Sequence, residues 1–195
     1  MKLTAPTQLL WALIGLILTI GGTLVEAFIT IPPWAWGQGV QPLSLGVTCQ
    51  VGAVLLIGCL AGSRPAAISQ IAYLLLGLTW FNVFTQGGGF DYVFRPTFGY
   101  LLGFVPGAWI CGWLAFRLPA RLEFLAFSSL MGLLTIHLTG TLYLLLAQSL
   151  NWAKLGSLTI ANALFTYSLQ PLPGQMAIVC AVAVLAFLLR HLLLY

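Results

Sequence analysis

The stretch GGGFDYVFRPTFGY, residues 87–100, places two charged side chains four residues apart in a chain that has few charges. Asp91 and Arg95 lie between a run of three glycines and a new apolar run. Pro96 restricts Arg95 to extended backbone, from which a guanidinium can bind a carboxylate through two parallel hydrogen bonds. The alternative is that the two charges pair with each other and only fix the loop, as exposed ion pairs commonly do.

The composition indicates an integral membrane protein. Of the 195 residues, 61% are hydrophobic and 5% are charged, whereas a soluble domain carries about 25% charged residues. Apolar runs of about twenty residues recur, which is the length a helix needs to cross the hydrocarbon core. These runs lack the alternation of a membrane barrel. The scattered basic residues behind the net charge of +4 form no patch for nucleic acid.

The predicted fold class is an all-α membrane protein with six transmembrane helices in one domain, residues 1–195. A segment at 151–174 is too polar for a span, and we expect a short interfacial helix there, before the last span. A seventh span in this segment is the alternative. The six predicted spans cover about 8–28, 43–61, 66–84, 97–116, 122–149 and 173–194.

Basic residues predict the orientation in the membrane. Arg95 and Lys154 fall on one side of the six-span arrangement. The positive-inside rule therefore places both termini of this multi-pass cell-membrane protein in the cytoplasm. A cleaved signal peptide ending at VEA, before Phe28, is the alternative, but the first apolar run is longer than such peptides usually have. Five basic residues share the cytoplasmic side: Lys2, Arg64, Arg117, Arg121 and Arg190.

Polar and aromatic side chains gather on the opposite, outer side of this arrangement. Convergent hydrogen-bonding groups within aromatic walls are what a small amphipathic ligand needs. His137, in the middle of the fifth span, is either part of such a site or a structural residue that bonds a neighbouring helix. The outer aromatic residues include Trp34, Trp36, Trp80, Phe84, Phe90 and Phe94.

The sequence contains no catalytic constellation. GxSxG, HExxH, paired carboxylates and a P-loop are all missing, which disfavours an intramembrane enzyme. The four cysteines show no ligand spacing, so we expect neither a metal nor a cofactor. A ligand-binding subunit is the favoured class, and a structural or assembly subunit of a membrane complex without its own ligand is the alternative.

Two segments carry a family resemblance. Residues 45–104 contain T-x-Q at 48–50, GSR at 62–64, YLLLG at 73–77 and, after the glycine run, RPTFGYLLGF at 95–104. LPG at 172–174 is a second patch. These motifs resemble the biotin-transporter family BioY, the substrate-binding subunits of energy-coupling-factor transporters. The resemblance implies six helices, a pocket near the outer surface for biotin or a similar small vitamin, and an ATPase module of T and A subunits as partner.

The outer cluster and the resemblance together predict which residues bind the ligand. This chain departs from the family pattern after its last PG. An acid and a lysine are usual there, whereas this chain has Gln175 and Ile178. A glutamine can still pair with a cyclic urea as acceptor and donor together. The residues predicted to bind the ligand are Thr48, Gln50, Trp80, Asn82, Phe84, Gly87, Gly88, Gly89, Asp91, Arg95, Tyr100 and Gln175.

The resemblance further implies that the ATPase module docks on the first span. Small residues at a four-residue spacing let two helices approach closely. In this chain the first span offers Ala12, Gly15 and Thr19 for such a contact.

Overall fold

The structure is a computed structural model that describes residues 4–30, 37, 39, 42–79, 81–150 and 159–193. The chain is mostly helical, as predicted. Its helices are α1 (Ala5–Leu24), α2 (Gln50–Ala61), α3 (Ser63–Thr79), α4 (Phe98–Arg117), α5 (Leu122–Ser149), α6 (Ile160–Leu164) and α7 (Leu172–Leu193). Residues discussed above that lie outside the described ranges are Lys2, Trp34, Trp36, Trp80 and Lys154.

Four segments are long and apolar enough to cross a membrane. These are Ala5–Leu24, Phe98–Arg117, Leu122–Ser149 and Ile160–Leu192, the last of which joins α6 to α7. A π-helical stretch, Phe165–Leu169, lies between those two helices. Helix α2 is apolar but has only 12 residues. The prediction of a helical membrane protein is therefore confirmed.

The prediction of an all-α fold misses a two-stranded antiparallel sheet. Strand β1 (Glu26–Thr30) pairs with β2 (Pro42–Thr48), with Glu26 opposite Thr48 and Phe28 opposite Ser44. The predicted second span at 43–61 therefore begins as a strand, and its helix starts only at Gln50. Residues 43–48 read LSLGVT, in which apolar and small or polar residues alternate, and this period of two is typical of a strand.

Helix α2 lies at the centre of the bundle. Ten of its 12 residues are buried, and it packs against α1, α4 and α7. A helix that is apolar all round is suited to such a position. It ends at Gly62, whose φ of 84° is readily adopted by glycine and turns the chain into α3.

The small residues of α1 face the inside of this chain. Ala12, Gly15 and Thr19 are all buried. A Cβ atom added at Gly15 would lie 2.8 Å from Ile57 in α2 and 2.9 Å from Ser69 in α3. The prediction that this stripe is a docking face for another subunit is therefore wrong, because the chain's own helices occupy it.

Candidate functional site

A cavity of about 320 Å³ lies where β2, α2, α4, α5 and α7 meet. Its volume is near the lower end of small-molecule pockets, about 300–1,000 Å³. An apolar part of the lining comes from Val51, Leu101, Phe104 and Ile136. Such a mixture suits a small amphipathic molecule. The polar and aromatic part comes from Thr48, Gln50, Thr85, Gln86, Tyr92, Thr97, Tyr100, Thr166, Tyr167 and Gln175.

A second cavity, of about 820 Å³, lies between α1, β1, α2 and α7. Among its described lining residues, only Glu26 and Cys49 have polar side chains. Binding sites need a few placed polar groups to fix the orientation of a ligand. The smaller, polar cavity is therefore the candidate site.

The amide of Gln50 is held in place from behind the cavity. Its Nε2 donates a hydrogen bond of 2.9 Å to the hydroxyl of Tyr73, which is fully buried in α3. The Tyr73 hydroxyl donates in turn to the carbonyl oxygen of Val83 at 3.0 Å. Thr23 Oγ1 lies 3.4 Å from the same hydroxyl. One phenol thus connects α1, α2, α3 and the loop after α3.

The amide of Gln175 is also held. Its Oε1 lies 2.6 Å from Nε2 of His137, which reaches across from α5. The Tyr100 ring packs against the imidazole in a T-shaped contact, at a centroid distance of 5.8 Å. The Tyr100 hydroxyl bonds Ser168 Oγ at 2.6 Å. Two lining side chains and their partners therefore form one connected group on α4, α5, α7 and the π-helical stretch.

The loop between α3 and α4 is shaped by the glycine run. Phe84 and Gly87 exchange backbone hydrogen bonds, which closes a tight turn at Thr85 and Gln86. Gly87 and Gly89 have φ of 113° and 88°, a region that glycine adopts without strain. A Cβ atom at Gly88 would lie 2.7 Å from the carbonyl oxygens of Gly77 and Phe81. Each of the three positions therefore favours glycine, either because of its backbone conformation or because a side chain would not fit.

Phe84 anchors this loop to the bundle. Its ring is buried between Tyr73 and Tyr92, at centroid distances of 5.3 and 4.7 Å. It also contacts Gly77, where a side chain would overlap the ring. Phe84 therefore supports the cavity from behind and is not among the residues that line it.

Four of the predicted site residues line the cavity: Thr48, Gln50, Tyr100 and Gln175. Phe84 and the three glycines build the adjoining loop instead. Asn82, Asp91 and Arg95 are exposed and are not among the described lining residues. Arg95 lies two residues before Thr97, which does line the cavity. Within the described residues no ion pair joins Asp91 to Arg95, and Trp80 lies outside them.

The sequence alone left other lining residues unpredicted. Thr97 is inside the RPTFGYLLGF motif, so the motif itself was the available signal. Thr166 and Tyr167 belong to the segment at 151–174, for which an interfacial helix was expected. Their π-helical backbone has no simple sequence pattern.

Comparison with known proteins identifies the family. The BioY family model matches residues 2–194. The chain belongs to the BioY family. A probable biotin transporter BioY of Lysinibacillus sphaericus is 39% identical over 137 residues, which cover 69% of this chain and 64% of that protein. An uncharacterised 21.2 kDa protein of Cyanophora paradoxa is 31% identical over 193 residues, 99% of this chain and 100% of that protein.

A solved structure shows the same fold. The S-component for biotin from an ECF-type ABC transporter aligns with a TM-score of 0.69 and 19% identity, covering 97% of this chain and 95% of that one. The BioY family consists of transporter components and not of enzymes.

Proposed function

We propose that this chain is the biotin-binding membrane subunit of an uptake system. The observation that carries the proposal is the cavity of about 320 Å³ lined by Gln50, Tyr100 and Gln175. Membership of the BioY family supplies the ligand class, since several relatives are named as biotin transporters.

Biotin matches the chemistry of the cavity. Its cyclic urea offers one carbonyl oxygen between two N–H groups, and the side-chain amides of Gln50 and Gln175 can bind such a group. The aromatic side chains of Tyr92, Tyr100 and Tyr167 provide flat apolar walls for the fused rings. The aliphatic tail would leave the cavity beside Thr97.

Arg95 would bind the carboxylate of the ligand at the rim of the cavity. It is exposed and lies two residues from Thr97, and no described acid pairs with it. Binding would therefore not require an existing ion pair to break. Asp91, in the first turn of the 3-10 helix that ends just before Arg95, would steady the guanidinium. The loop shaped by Gly87, Gly88 and Gly89 would close over the ligand.

The membrane arrangement is part of the proposal. Helices α1 to α5 and α7 would form six spans, with α6 and the π-helical stretch at the interface. Helix α2 would be a span of only 12 helical residues, and its buried position supports this, since it does not have to face lipid along its length. The positive-inside rule supports cytoplasmic termini in the cell membrane and a cavity near the outer surface. An ATPase module would supply the energy for uptake.

Retention of biotin by the purified protein tests the proposal. We expect saturable binding of radiolabelled biotin in detergent, which excess unlabelled biotin displaces. Tyr100→Ala should weaken it, because the ring lines the cavity, whereas Phe127→Ala on the exposed face of α5 should not. Absence of saturable binding by a folded sample would refute the function and favour a structural subunit of a membrane complex.

A further inference from the structure

The contact between His137 and Gln175 determines which hydrogen-bonding group Gln175 offers to the cavity. Gln175 Oε1 lies 2.6 Å from His137 Nε2. A carbonyl oxygen carries no proton, so Nε2 must be the donor and the neutral imidazole has no proton on Nδ1. Nδ1 is buried, and no described residue forms a hydrogen bond with it.

The opposite orientation of the amide is disfavoured by that same buried atom. If Gln175 turned its NH2 group to His137, Nε2 would have to accept and the proton would move to Nδ1. A buried N–H without an acceptor is rarer in proteins than a buried acceptor without a donor. His137 therefore holds the oxygen of Gln175 toward itself.

The imidazole cannot easily turn to avoid this choice. The Tyr100 ring packs against it at a centroid distance of 5.8 Å, with 77° between the two planes. Tyr100 is itself fixed, because its hydroxyl bonds Ser168 and its ring lies directly on Gly140, where a side chain would overlap it.

The NH2 group of Gln175 is left for the ligand. Gln175 lines the cavity, and no described residue accepts a hydrogen bond from its Nε2. This position thus offers a donor, whereas an acid, which is usual here in the BioY family, offers only an acceptor when ionised.

We propose that His137 is a positioning residue that makes Gln175 a hydrogen-bond donor, so that this chain holds a carbonyl oxygen of its ligand where an acid would hold an N–H group. This inference rests on the proposed function, because it concerns the ureido group of biotin. His137 acts through Gln175 and need not contact the ligand.

The ligand 2-iminobiotin provides the test, because its cyclic guanidinium, protonated at neutral pH, presents N–H groups where biotin presents the ureido oxygen, so an acceptor becomes a positively charged donor. The wild type should bind biotin at least about tenfold more tightly than 2-iminobiotin, the equivalent of one good hydrogen bond. In His137→Leu the amide can rotate, so this ratio should fall about fivefold or more. Ser128→Ala, which removes a different hydrogen bond of α5, should leave the ratio unchanged.

Variants of Gln175 separate positioning from a merely structural role. In a Gln175→Leu background, His137→Leu should no longer change the ratio, because no amide is left to orient. Gln175→Glu keeps an acceptor for His137 but removes the donor, so the preference for biotin over 2-iminobiotin should fall. This second variant tests the proposal even if His137→Leu fails to fold.

Two results would overturn the inference, and they differ in what else they refute. If His137→Leu weakens both ligands equally, His137 is structural; if Gln175→Glu leaves the ratio at its wild-type value, Gln175 is not the donor to the ligand. In both cases the proposed function stands. If the wild type binds neither ligand, the proposed function is refuted together with the inference.

Discussion

Removing the hydroxyl of Tyr73 should loosen the bundle and weaken ligand binding together. Tyr73→Phe preserves the buried ring and its contact with Phe84 but removes the hydrogen bonds to Gln50 and Val83. Hydrogen bonds between membrane helices contribute about 0.6 kcal/mol on average and up to about 1.7 kcal/mol. Two of them give an expected loss of about 1–3 kcal/mol in the free energy of unfolding.

Ligand affinity should fall in the same variant. Gln50 lines the cavity, and without the Tyr73 hydroxyl its amide loses the acceptor that fixes its position. We expect biotin affinity to fall at least about fivefold, a change in binding free energy of the size that one hydrogen bond contributes. The measurements are unfolding by denaturant in detergent and equilibrium binding of labelled biotin.

A double-mutant cycle distinguishes this explanation from general damage. Gln50→Leu removes the other partner, so the combination with Tyr73→Phe should cost less than the two single losses added together. Tyr143→Phe is the matched control, because its hydroxyl has one bond, to the Val93 carbonyl, and is only half-buried. Full additivity, or wild-type stability of Tyr73→Phe, would refute the role assigned to this phenol.

Three further predictions concern the loop and the membrane. Arg95→Ala should weaken biotin binding about ten- to a hundredfold, because a hydrogen bond to a charged group contributes about 1.5–3 kcal/mol. Biotin methyl ester should bind this variant as tightly as biotin does. A variant that still prefers biotin over the ester would place the carboxylate elsewhere. Gly77→Ala should lower the free energy of unfolding by about 1–3 kcal/mol, because the added Cβ overlaps Phe84. Gly21→Ala, with open space around it, should not destabilise the protein. Equal stabilities of the two variants would contradict the close contact between Gly77 and Phe84. With the native cysteines replaced, a membrane-impermeant thiol reagent on intact cells should label Gln86→Cys and spare Pro119→Cys, and the reverse pattern would invert the proposed orientation.

The sequence by itself determined the class of protein and most of the helices. Helix α5 was predicted at 122–149 and is Leu122–Ser149, and α4 differs by one residue at each end from the predicted 97–116. Hydropathy succeeds there because a membrane requires about twenty apolar residues in succession, which is a local property. It failed at 43–48, where the apolar residues of a strand were joined to those of the following helix.

The tertiary structure alone decided which polar residues share a cavity. Thr48, Gln50, Tyr100 and Gln175 come from separate elements, and the packing of these elements brings their side chains to one cavity. The pairing of His137 with Gln175 joins α5 to α7, and no spacing within either helix predicts it. Arg95, conspicuous as a charge in the sequence, lies exposed outside the described lining. Charge and hydropathy are properties of single residues, whereas a binding site depends on distances between elements, which only the packing of the helices sets.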